Sequence, residues 1–197
     1  LVLGLMVASA KGSYDTQKSE LVQMSAGIVV LDRILAHYGP ETKEVRELLR
    51  AATTRALAQI WPEDRSRPSL APRSAGDEIL YDKLQELTPK DDSHRSLQAQ
   101  ALNVAMELTR ARWLMFEQSG SAISTPFLVV VVFWLTVMFV SFGLFAPSNT
   151  TAIATLVICA LSVSGALFLT LEMDTPFAGL IQISSAPLRA ALAQLGQ

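Results

Sequence analysis

The chain has 197 residues, a hydrophobic fraction of 50% and a formal net charge of −2. That charge, without a clustered basic surface, argues against nucleic acid as a partner. The single cysteine, Cys159, rules out an intrachain disulfide. The mean hydropathy of +0.34 averages two unlike parts. Lys11 to Glu117 holds every charge except Glu172, Asp174 and Arg189, and no Asp, Glu, Lys or Arg lies between Gln118 and Leu171.

Leu1 to Ala10 is apolar but only half a membrane span long, with no charged region in front of it as a signal peptide would have. Residues 1–10 therefore read as the C-terminal half of a transmembrane helix whose first half precedes this numbering. Residues 11–122 read as a water-soluble helical bundle. Leu21, Met24, Ile28, Leu31, Leu35 and Tyr38 recur at steps of three and four, as do Leu97, Ala101, Val104, Leu108, Ala111 and Met115. Such steps put one apolar seam along a helix. Val45, Leu49, Ala52 and Ala56 form a third, weaker seam.

Gly39-Pro40 predicts the end of the first helix, and Trp61-Pro62 the end of the second. Arg65 to Gly76 is rich in Pro, Ser and Arg and predicts an exposed loop. A short helix is expected around Asp77–Leu87, then a long one starting near Thr88-Pro89 or Asp92-Ser93. The first and last of these helices read as extensions of membrane spans, the last interrupted at Ser119-Gly120-Ser121 and again at Pro126. No segment alternates with period two for long enough to make a strand.

Residues 123–171 predict a transmembrane hairpin. Phe127 to Ala146 and Ala152 to Leu171 are apolar runs separated by Pro147-Ser148-Asn149-Thr150. About 20 apolar residues at roughly 1.5 Å each cross a ~30 Å hydrocarbon core. A core hairpin in a soluble bundle would need more protein around it than this chain supplies. Thr151, Thr155, Cys159, Ser162 and Ala166 fall on one face of the second run. Small and weakly polar side chains there suit close helix packing or a pore lining.

Residues 172–197 predict an interfacial motif and helix. Glu172 and Asp174 sit where an apolar helix leaves the bilayer. Asp174 with Pro176, and Ser184 or Ser185 with Pro187, have the form of a helix cap followed by an early proline. Two short interfacial helices with capped ends would result along this motif, which also includes Phe177 and Gly179. An acidic ring at a pore mouth is the other reading, and Arg189 is placed to pair with either acid.

Catalysis needs converging nucleophiles, bases or metal ligands. The two histidines, His37 and His94, have no second ligand at metal-site spacing, and Asp91-Asp92 lacks the rest of a calcium loop. His37 reads as a helix-end residue favoured by the C-terminal dipole. The sequence therefore gives no reason to expect an enzyme, a cofactor or a metal.

LDRILAHYGPE (Leu31 to Glu41, with Asp32, Arg33 and His37), PFLVVVVFWLT (Pro126 to Thr136) and the C-terminal stretch together resemble the bestrophin-like domain family of bacterial membrane proteins. The family pattern L-x-L-D-x-P-F-x-G falls within Leu169 to Gly179, with Met173 at the Leu position. Thr175 stands where the family commonly has Arg, which removes a charge before Pro176. The resemblance implies a further N-terminal membrane helix, four spans in all, and kinship with bestrophins, which are pentameric anion channels.

The expected fold class is an all-α membrane protein: transmembrane helices with a cytoplasmic helical bundle inserted between them. Its expected home is the bacterial inner membrane. The expected function is an oligomeric channel for an inorganic anion, pentameric by analogy; the competing reading is a non-conducting scaffold or sensor whose bundle binds a partner. Lys11, Lys18, Arg110, Arg112 and Arg189 flank the spans on one side, which puts the bundle and the C-terminus in the cytoplasm by the positive-inside rule. Single cysteines at Ser69 and Ser148, in a Cys159→Ser background, are therefore predicted to react with an impermeant label from opposite sides. Reaction of both from one side would end this topology.

Overall fold

A computed structural model describes residues 2–62, 75–118, 125–145, 149–177 and 179–196. Among them every regular element is helical: α1 (Val2–Tyr38), a 3₁₀ turn (Pro40–Thr42), α2 (Lys43–Ile60), α3 (Ala75–Glu86), α4 (Asp92–Gln118), α5 (Thr125–Phe145), α6 (Thr150–Met173) and α7 (Ala186–Gln194). Most of the loop expected over Arg65–Gly76 lies outside the described residues, but its last two positions open α3. The expected break at Ser119-Gly120-Ser121 and the first two residues of the Pro147–Thr150 turn also lie outside them. The chain divides into two compact units, Leu1–Asp15 with Ser121–Ile181, and Thr16–Gly120 with Gln182–Gln197.

In the first unit α5 and α6 lie against each other. Pro126 occupies the first turn of α5, where its missing N–H costs nothing. Asn149 caps α6, its side chain accepting from the Ala152 N–H at 2.7 Å. Among the described residues of this unit the buried positions are few: Met6, Ala10, Thr170, Pro176 and Phe177.

The second unit is built on the seams. Leu21, Met24, Ile28, Leu31, Leu35 and Tyr38 are all buried on α1, as are Val45 and Leu49 on α2. On α4 the buried positions are Ala101, Ala105 and Met115, so the seam runs one step to the side of the expected one in the middle of that helix. α1 ends where predicted. Gly39 takes φ 128°, open only to glycine, and Thr42 then folds back to donate its hydroxyl to the Leu35 carbonyl at 2.6 Å. His37 sits in the last turn, its Nδ1 2.8 Å from the Arg33 carbonyl. Asp91 caps α4, accepting from the His94 N–H at 2.8 Å.

Contacts distant in sequence close the unit. Trp61, which ends α2, donates its indole N–H to the Ile183 carbonyl at 2.9 Å. Asp32, almost fully buried, takes both arms of the Arg46 guanidinium at 2.7 and 2.9 Å, and its Oδ2 also accepts from the Gly196 N–H at 3.3 Å. Burial pushes this carboxyl up, but the Arg46 hydrogen bonds, the Gly196 N–H and the Arg46 and Arg33 charges outweigh it and hold it below the ordinary carboxylate range. A depressed carboxyl contributes stability above its unfolded pKa and loses it as pH falls through the folded value. Asp32→Asn is predicted to cost about 2 kcal/mol at pH 7, the scale of hydrogen bonds to a charged group. The gap from wild type should close as pH drops below ~4. Equal denaturation midpoints at pH 7 would refute the clamp.

Candidate functional site

Two helices, Pro126–Phe145 and Thr150–Met173, are long and apolar enough to cross a membrane, and none of their most apolar stretch is buried within the chain. A core hairpin of a soluble bundle would be covered by its own protein. Phe133, Trp134, Leu144 and Phe145 on α5, with Ile158 and Leu161 on α6, instead stand largely exposed. Apolar surface of that extent needs a hydrocarbon phase or other protein against it.

Along α6 the small-residue face lies as the spacing predicts. Thr151, Thr155, Cys159 and Ser162 are exposed and Ala166 is half-buried. Each described hydroxyl bond on this face turns back to its own helix: Thr155 Oγ1 donates to the Thr151 carbonyl at 2.9 Å and Ser162 Oγ to the Ile158 carbonyl at 2.9 Å. Back-bonding of this kind satisfies the donor and leaves oxygen lone pairs outward. Near its start the same face borders an open depression shared with Phe142 and Phe145 of α5.

The C-terminal motif departs from the expected pair of capped helices. Asp174 is the C-cap of α6, its N–H bonded to the Thr170 carbonyl at 3.2 Å, and not the N-cap of a following helix. The described residues from 174 to 185 form turns and bends, so Pro176 and Phe177 lie buried in a turn. The reason is Glu172. Its carboxylate accepts from the backbone N–H groups of Leu180, in a very short contact, and Ile181, at 3.2 Å. Gly179 makes this possible with φ 93°, a conformation in which a Cβ would also collide with that carboxylate.

Glu172 therefore closes a turn; it and Asp174 belong to the first unit, and Arg189, with α7, to the second. The second cap is also rearranged. Ser185 precedes α7 without a side-chain bond, and the Ser184 hydroxyl accepts from the Ala186 N–H at 3.2 Å, with Pro187 in the first turn. The motif residues thus fall into two groups: Glu172, Asp174, Pro176, Phe177 and Gly179 in one turn, and Ser184, Ser185, Pro187 and Arg189 around the start of α7. Asp32, Arg33 and His37 share the last part of α1, but only Asp32 reaches across to another helix.

Sequence reasoning missed Arg46 and Thr42 as partners, and the capping role of Asn149. An Asn directly before an apolar run was signal enough for the cap. Nothing in the sequence marked Arg46 above its neighbours.

Long uncovered apolar helices joined to a charged helical unit define the class as a helical membrane protein. A family model described as the bestrophin-like domain matches residues 1–188, and the chain belongs to that family. No curated protein and no solved structure matches the chain.

The turn yields its own prediction. Glu172→Ala should raise hydrogen exchange at the Leu180 and Ile181 amides roughly tenfold, the equivalent of about 1.4 kcal/mol for bonds to a charged acceptor. The Arg189 amide, bonded to the Ser185 carbonyl at the start of α7, should not change. Unchanged exchange at both turn amides would show that Glu172 does not hold the turn.

Proposed function

We propose that this chain is one subunit of a ring-shaped oligomer in the bacterial inner membrane that conducts an inorganic anion, with the weakly polar face of α6 along the path. The observation that carries the reading is the α6 face itself: Thr151, Thr155, Cys159 and Ser162 are uncovered within one chain. Closed cyclic assembly is the common way for copies to cover one another, and an axis along the membrane normal is its natural setting. Family membership supports an anion as the conducted species, because bestrophins are anion channels, and favours five subunits on the same ground. With the Thr155 and Ser162 hydroxyls donated to its own backbone, α6 would offer a weakly polar wall that binds no ion tightly, as conduction requires.

No Asp, Glu, Lys, Arg or His lies between Gln118 and Leu171, which speaks against proton- or ion-coupled transport, since such pumps need charged or readily titrated groups at depth. In this reading the second unit and the C-terminus face the cytoplasm, and the protein carries out no catalysis.

A non-conducting scaffold or sensor is the second reading. It is favoured by apolar side chains left exposed on the second unit, Val30 on α1 and Met106 and Trp113 on α4 among them, which fit a partner surface. Purified protein in a planar bilayer separates the two. Discrete currents whose size or selectivity changes in Thr155→Val are the predicted result, with an oligomer in mild detergent by mass measurement. Silence across salts, voltages and pH, or only monomer, would remove the channel reading.

A further inference from the structure

We propose that the interior of the second unit is a binding chamber for a small uncharged apolar molecule, of the alkane or arene class. A cavity of about 90 Å³ lies among five helices, walled by Met24 and Ile28 of α1, Leu49 of α2, Leu80 of α3, Met115 of α4 and Leu188 of α7. All six are buried. Water needs only about 10–15 Å³ of such space, but it also needs two to four polar partners. The wall supplies almost none. Its two threonines, Thr53 and Thr109, donate to their own helices at the Leu49 and Ala105 carbonyls, 2.8 and 2.9 Å away. Among the described lining residues, Tyr81 and Arg112, both half-exposed, bring the other polar side chains, and with the exposed Thr109 they mark the side facing outward. An apolar engineered cavity of ~150 Å³ stays dry and takes up benzene or xenon. The chamber here has the same character at a somewhat smaller size.

Uniformly loose packing does not account for it. Beside the cavity α1 and α4 approach so closely that a Cβ on Gly27 would come within 2.9 Å of Leu108, itself part of the wall. The space arises instead where the sequence places alanines on the wall, the buried Ala105 on α4 and the half-buried Ala52 and Ala56 on α2, where a larger side chain would take up part of the chamber. A membrane protein works beside a hydrocarbon phase that concentrates uncharged apolar solutes, so the ligand class is at hand.

The test uses the full chain in lipid nanodiscs, with its methionine methyl groups labelled with carbon-13 and xenon as the probe. Met24 and Met115 report the chamber, and Met138 on α5 reports xenon dissolved around the spans. The Met24 and Met115 signals are expected to shift and saturate with xenon pressure, while Met138 moves linearly. Ala105→Leu should abolish the saturable part and leave Met138 unchanged. Ala52→Leu fills the chamber from the opposite wall if the first variant does not fold. Linear shifts at Met24 and Met115 in the wild type overturn the proposal, as does a saturable shift that survives in a folded, filled variant.

Discussion

The molecule depends on one constraint: α5 and α6 have far more apolar surface than their own chain covers. Two helices of about 20 residues, with no charge to solubilise them and no protein over them, cannot rest in water. Every other feature of the first unit follows from this. Among the described residues, the Thr136, Thr155, Ser162 and Thr170 hydroxyls bond back to carbonyls of their own helices, and the C-terminal end of α6 is tied off by a carboxylate gathering N–H groups of the turn. Polar groups are settled locally because the surroundings cannot settle them.

The second unit obeys the opposite rule. Its apolar seams face inward, its surface is charged, and its closure relies on contacts between residues far apart in the chain. Asp32 on α1 holds Arg46 on α2 and the Gly196 N–H beyond α7, so one buried carboxylate ties three segments together. Trp61 likewise joins the end of α2 to the segment before α7. Removing one partner of such a buried pair costs more than the pair contributes, because the other charge stays buried. The C-terminal segment is thus part of this unit's structure, not a tail.

What the sequence made legible, and what it hid, follows from range. Helix seams repeat every three to four residues, so Leu21 through Tyr38 could be read directly, as could the stop at Gly39-Pro40 and the two long apolar runs. The Asp32–Arg46 pair spans two helices and the Trp61–Ile183 bond joins distant segments; no local pattern encodes either. The turn after α6 misled for a different reason. Asp174 followed by Pro176 has the local form of a helix start, but Glu172, two residues earlier, captures the N–H groups of Leu180 and Ile181 and Gly179 reverses the chain. A local signal lost to a contact eight residues away. On α4 the burial of Ala105 in place of the expected middle seam positions reflects the neighbours that α4 meets, which periodicity alone does not specify.

The account turns on whether the α6 face meets water or is sealed by lipid and protein, and the chain carries its own probe there. Cys159 lies exposed midway along that face. The most direct measurement is the reaction of native Cys159, in the intact protein in liposomes, with a small charged, membrane-impermeant thiol reagent, alongside a lipid-soluble one. A water-filled path predicts modification by the charged reagent, abolished in Cys159→Ser. Modification by the lipid-soluble reagent alone would contradict it and leave α6 as a packing or lipid-facing helix.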